Sequence, residues 1–113
     1  MSFEWRELVR HMVDEVDYLQ RSTTHTTKED FLSDETLRRA FERSVEILGE
    51  AANKLPPEVT ERFADIPWRR IIAMRHRVVH AYFGVDYDLL WEVATVNAPA
   101  LGLQLRALLQ GEE

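Results

Sequence analysis

Apolar residues recur at steps of three and four along almost the whole chain. Trp5, Leu8, Val9, Met12, Val16 and Leu19 form the stripe of a first amphipathic helix over about residues 3–21. The polar run from Arg21 to Thr27 ends it, and Thr27 can cap a short turn through Phe31 and Leu32. Ser33 or Asp34 can cap the next long helix, whose stripe is Leu37, Phe41, Val45, Leu48, Ala52 and Leu55. Pro56 and Pro57 stop that helix, and Pro57 can open a short one through Phe63. Asp65-Ile66-Pro67 is a second break. Pro67 suits the first position of a helix over about residues 67–82, which Phe83-Gly84-Val85 ends. Asp86 then caps a final helix to about Leu109, with Leu90, Val93, Asn97, Leu101, Leu105 and Leu108 on one side and a kink expected at Pro99. No alternating segment of useful length, internal repeat or low-complexity tract interrupts this pattern. The expected fold is all-α, an antiparallel four-helix bundle with short extra helices.

Composition narrows the class. A chain of 113 residues is expected to be one domain spanning 1–113, with a real but modest core. Without cysteine there is no disulfide framework, no thiolate metal site and no thiol nucleophile. No apolar run approaches a membrane span, and charged residues stand near Met1 where a signal peptide would need an apolar stretch, so the expected address is the cytoplasm with no membrane partner. The net charge is −6. Residues 66–82 run against it: Arg69, Arg70, Arg75 and Arg77 stand there without an acid, giving +4 against −10 for the rest. Such a chain is a poor general nucleic-acid binder but can hold a few phosphates locally, with Arg69, Arg70 and Arg77 as candidate RNA contacts. The acidic exterior also suits a basic protein partner.

The basic segment contains Arg75-His76-Arg77-Val78-Val79-His80-Ala81-Tyr82: Arg, four residues, His, one residue, Tyr. RNA cleavage can proceed without a metal when a base removes the 2′-OH proton and an acid protonates the leaving 5′-oxygen. Histidine suits the proton steps and arginine the charge that develops on phosphate. On an ideal helix Arg75 and His80 stand about 140° apart, whereas Arg75 and Tyr82 differ by only about 20°. Three arrangements can bring Arg75 and His80 to one substrate. The helix end is distorted, for example by a π-bulge; Arg75 wraps round; or a second subunit completes the site across a two-fold dimer.

These residues resemble the HepT-type toxins of the HEPN superfamily, whose mark is the same Arg-x4-His-x-Tyr pattern. Ile47-Leu48-Gly49-Glu50-Ala51-Ala52, Ile66-Pro67-Trp68-Arg69, and Val85-Asp86 followed by Leu90-Trp91 are also similar to the family, so the likeness spans most of the chain. The resemblance implies a homodimeric helical bundle with a metal-independent ribonuclease cleft at the dimer interface and no cofactor. It implies that Arg75 and His80 are catalytic. It further implies a nucleotidyltransferase (MNT-type) antitoxin that transfers AMP from ATP to Tyr82, blocking the RNA cleft by bulk and charge. The polar residue following the arginine is His76 here, which either assists catalysis or only shapes the site.

Other roles stay open at this point. Arg75 can be a surface cation, His80 a favourable charge at a helix C-terminus, and Tyr82 a half-buried ring. His76 and His80, four apart, would share a helical face, but no third ligand is evident and no metal is expected. Glu50 beside Gly49 is either a solvent-facing charge or a carboxylate orienting Arg75 or His80, while Gly49 permits close helix packing. His11 and His25 have no context beyond the surface, and Trp68 and Trp91 suit core or dimer contacts. An alternative function is a non-catalytic helical module that docks a nucleotidyltransferase. A pure dimerisation bundle would leave the Arg, His and Tyr cluster unexplained.

Overall fold

A computed structural model describes residues 4–80 and 84–111, with His80 described by its backbone alone. The helices are α1 (Trp5–Thr23), α2 (Lys28–Ser33), α3 (Glu35–Lys54), α4 (Pro57–Arg62), α5 (Trp68–Val78), α6 (Tyr87–Glu92) and α7 (Ala98–Gly111). A π-helical turn, Val93–Asn97, joins α6 to α7 without a break, and two short strands, β1 (Val79–His80) and β2 (Gly84–Val85), follow α5. The fold is an all-α bundle of four long helices: α1, α3, α5 and the continuous α6–α7 unit.

Side-chain caps set several of the helix starts. The Thr27 hydroxyl accepts the Asp30 N–H at 3.1 Å, Asp34 Oδ1 accepts the Leu37 N–H at 3.0 Å, and Asp86 Oδ1 accepts the Leu89 N–H at 3.0 Å. Each satisfies an N–H that has no partner within its own helix. Pro57 opens α4, where its missing N–H costs nothing. At the start of α1, Glu4 accepts from the backbone N–H and the guanidinium of Arg6, which hold its carboxyl below the usual range.

The stripes meet in one core. Leu8, Val9, Met12, Val16 and Leu19 of α1 and Phe41, Val45, Leu48 and Ala52 of α3 are buried. The two helices run antiparallel, and across their seam buried Ser44 donates its hydroxyl to Glu15 Oε1 at 2.8 Å. Gly49 brings α3 against α5: a β-carbon there would stand 3.5 Å from the carbonyl oxygens of both Ile71 and Ile72. Phe31 of α2 stacks on Phe41 and Trp91, and the buried Trp68 indole donates to the Phe63 carbonyl at 3.1 Å.

Two expected features change. The helix expected over 67–82 ends at Val78. Val79 pairs with Val85 and His80 with Gly84 in an antiparallel bridge, and the Asp86 N–H donates to the Val78 carbonyl at 2.7 Å. Gly84, at φ +83°, supplies the left-handed residue of the reversal. Cross-strand pairing of β-branched Val79 and Val85 therefore replaces the last helical turn.

The final helix carries the π turn, with the Ala98 N–H donating to the Val93 carbonyl five residues back. Pro99 has no N–H for the preceding turn and its ring would crowd it, so the expected distortion takes this form. One extra residue per turn rotates the register. Asn97, expected on the buried stripe, is exposed, while Ala94 and Ala98 are buried with Leu90, Val93, Leu101, Leu105 and Leu108.

Candidate active site

Arg75 lies in the last turn of α5 with His76 and Arg77, where three basic side chains complement the negative end of the helix. Its side chain is 46% exposed. The Val79 N–H closes the helix by donating to the Arg75 carbonyl. The next residue, His80, has its backbone in β1, so the helical angle between Arg75 and His80 no longer applies. The helix end is altered by an early stop followed by a short antiparallel pairing, and the π turn sits in the last helix instead. The helical face expected for Arg75 and Tyr82 likewise ends at Val78, and Tyr82 itself lies outside the described residues, as does the His80 side chain. His76 and His80 do not share a helical face, since only His76 is helical.

Across from Arg75 stands α3. Antiparallel packing about Gly49 sets Glu46 opposite Arg75, with Glu46 Oε2 3.4 Å from Arg75 Nε. The other carboxylate oxygen, Oε1, accepts from Arg43 Nη1 at 2.7 Å, and that nitrogen also stands 3.5 Å from Glu50 Oε1. Glu46, acting first through this hydrogen bond and then through its charge, holds the Arg43 guanidinium pKa above its ordinary value. The charges thus form a chain, Glu50–Arg43–Glu46–Arg75. A cleft of about 310 Å³ opens beside it, with Arg39, Glu42, Arg43, Glu46 and Arg75 around the rim and Val78 and Val79 at its base.

Of the residues expected at the site, Arg75 is at this cleft and the His80 backbone follows directly after Val79, which lines it. Glu50 is one link further off, against Arg43, and lines a neighbouring cleft between α1 and α3 with His11 and Lys54. His76, Arg77, Arg69 and Arg70 are exposed. Arg69 and Arg70 belong to the opposite end of α5, beside Pro67 and Trp68, so the basic strip spreads along and around the helix instead of forming one face. The residues that the motif alone did not disclose are Glu46, Arg43 and Arg39. Their signal was the spacing on α3, where positions 39, 43, 46 and 50 form one polar edge next to Gly49. Among the described residues no cluster of three or more His, Asp or Glu side chains could hold a metal, and no helix is long and apolar enough to cross a membrane.

An exposed arginine held by a carboxylate at a cleft, with a histidine five residues on in the strand that follows, can engage an anion and place a proton-transfer group close by in sequence. The sequence model of the family described as "Ribonuclease HepT-like" matches residues 12–108. "Putative RNase TTE0752" of Caldanaerobacter subterraneus subsp. tengcongensis is 39% identical over 108 residues, covering 96% of each chain. "Probable ribonuclease HepT" of Thermococcus cleftensis is 32% identical over 96 residues, covering 85% of this chain and 87% of that one. "Putative RNase MJ1216" of Methanocaldococcus jannaschii is 28% identical over 111 residues, covering 96% and 92%. No solved structure matches. With the family model matching residues 12–108 and a relative 39% identical over 96% of the chain, the chain belongs to the HepT-like ribonuclease family.

Proposed function

We propose that this protein is a metal-independent endoribonuclease, the toxin of a toxin–antitoxin pair. The observation that carries the reading is Arg75. It is exposed at a cleft on the last turn of α5, held by a carboxylate, and followed by a hairpin that takes His80 off the helix. In the reaction a base takes the proton from a ribose 2′-OH and the 2′-oxygen attacks phosphorus. The bond to the 5′-oxygen breaks as an acid protonates it, leaving a 2′,3′-cyclic phosphate and a 5′-OH. Histidine has the ordinary pKa for the proton steps, and the Arg75 guanidinium stabilises the charge growing on the phosphate oxygens. One His80 cannot both take and give a proton from opposite sides of phosphorus in a single step. A two-fold dimer with two motif copies facing one cleft would supply the second group.

Tyr82 is the proposed regulatory position. A nucleotidyltransferase antitoxin would pass AMP from ATP to its phenolic oxygen, with pyrophosphate leaving and the phenolic proton going to a base on that enzyme. An AMP ester on Tyr82 would oppose RNA by bulk and like charge. The motif spacing and the family support this role.

The test is incubation of the purified protein with RNA in EDTA, with the product ends identified. Cyclic phosphate ends that disappear in His80→Ala bear the reading out. No cleavage by the wild type, or equal cleavage by His80→Ala, contradicts it. A second reading, a docking module that presents Tyr82 but cuts nothing, draws on the net charge of −6, which repels RNA outside the basic strip. Expression without a partner separates the two: a ribonuclease arrests growth, and a docking module does not.

A further inference from the structure

Resting on the ribonuclease reading, we propose that Glu46 is a positioning residue for Arg75, aiming its guanidinium at the scissile phosphate from the neighbouring helix. Arg75 stands at the end of α5, where the chain leaves the helix, and a side chain so exposed visits many rotamers. Misplacement of a charge-stabilising group at the moment of reaction costs rate directly. Glu46 approaches Arg75 on its Nε side, at 3.4 Å. A guanidinium engaged there keeps the fork between its two terminal nitrogens for bidentate contact with phosphate. Glu46 is itself fixed, because its other oxygen is held at 2.7 Å by Arg43. Both residues belong to α3, which Gly49 seats against the backbone of α5.

The sign of the charge separates this role from substrate binding. A carboxylate at the rim repels RNA, so Glu46 contributes nothing favourable to ground-state affinity. Its removal makes the cleft more positive, because Arg39, Arg43 and Arg75 stay and the lining carboxylate that remains is Glu42. Loss of aim then lowers kcat while KM stays constant or falls. A carboxylate that only weakened RNA binding would, on removal, lower KM and leave kcat alone.

The experiment measures kcat and KM separately on a fluorophore-labelled oligoribonucleotide in EDTA, for wild type, Glu46→Ala, Glu46→Gln, Arg75→Ala, Arg75→Lys and the Arg75→Lys/Glu46→Ala double variant. For Glu46→Ala the expected result is a fall in kcat of about 10- to 100-fold without a rise in KM. Glu46→Gln, which keeps the shape and an acceptor oxygen, recovers part of that loss. In Arg75→Lys, which has no Nε–H edge, adding Glu46→Ala brings no further loss. The proposal is overturned by a wild-type kcat in Glu46→Ala, or by losses that multiply in the double variant. A fall in kcat matched by a fall in the folded fraction, with Glu46→Gln indistinguishable from wild type in both, overturns it as well. Cleavage by wild type that Arg75→Ala abolishes and Glu46→Ala leaves intact removes only the role of Glu46. No cleavage by wild type removes the ribonuclease reading and this proposal with it.

Discussion

The same substitution at two buried helical glycines should move stability in opposite directions. At Gly49 on α3, a β-carbon would stand 3.5 Å from the Ile71 and Ile72 carbonyl oxygens and 3.8 Å from the Ile72 α-carbon. Those are ordinary contact distances, so no atom must move. What remains is the helical preference for alanine over glycine, about 0.5–1 kcal/mol in favour of Gly49→Ala. At Gly102 on α7, the added β-carbon would stand 2.9 Å from Val16 Cγ1 and 3.2 Å from Arg106 Nη1. The arginine end can swing away. Val16 is wholly buried and β-branched, and its methyl has nowhere to turn without disturbing the α1–α7 seam. Overpacking of this kind costs about 1–3 kcal/mol, which outweighs the helical gain and leaves Gly102→Ala about 1 kcal/mol less stable. Urea unfolding of the two variants and the wild type measures the difference. Gly49→Ala should shift the midpoint up and Gly102→Ala down, with equal m-values. Shifts of the same sign would refute the packing argument, and a loss at Gly49 would show that α3 and α5 approach more closely than described.

Other outcomes follow from individual contacts. Asp86→Ala removes the cap that starts the last helix beside the hairpin and should cost about 1 kcal/mol in chemical unfolding, with Asp86→Asn losing much less. Ser44→Ala leaves the half-buried Glu15 carboxylate without its donor and should cost about 1–2 kcal/mol, whereas Ser44→Thr, with the hydroxyl kept, should cost less unless its extra methyl is excluded from the seam. Lys28→Ala breaks the exposed pair with Asp88, 3.0 Å apart, and should change stability by less than about 1 kcal/mol, the change shrinking further at high salt.

Most of the bundle was legible because its helices are amphipathic and clearly punctuated. The stripes of α1 and α3 are buried largely as their periodicity predicts, and Thr27, Asp34 and Asp86 cap where short polar side chains precede apolar runs. The failures share a cause: tertiary pairing or a backbone insertion shifts a register that local spacing assumes to be constant. Arg75 through Tyr82 reads as helix because nothing in that stretch forbids helix. The reversal is decided by Gly84 and by Val85 pairing with Val79, residues outside the window. Asn97 was placed on the core face by counting 3.6 residues per turn from Val93, and the π turn before Pro99 adds a residue to that count.

The site divides the same way. The Arg-x4-His-x-Tyr spacing marked Arg75 from local sequence alone, and the likeness to the family rested on it together with the segments around Gly49, Trp68 and Asp86. Glu46 could not be found by the same means, because its relation to Arg75 depends on how far α3 and α5 slide past one another. That offset is set where Gly49 meets the carbonyl oxygens of Ile71 and Ile72. Glu50 stands on the same polar edge one turn further from Arg75 and meets Arg43 of its own helix, seven residues back, instead.

The central claim is that Arg75 stabilises the phosphate during RNA cleavage, and Arg75→Ala assayed on RNA in EDTA tests it most directly. Loss of one such group should lower the cleavage rate by about 10²- to 10³-fold, with the unfolding midpoint close to that of the wild type, since the side chain is exposed. A rate for Arg75→Ala within a few-fold of wild type would contradict the account.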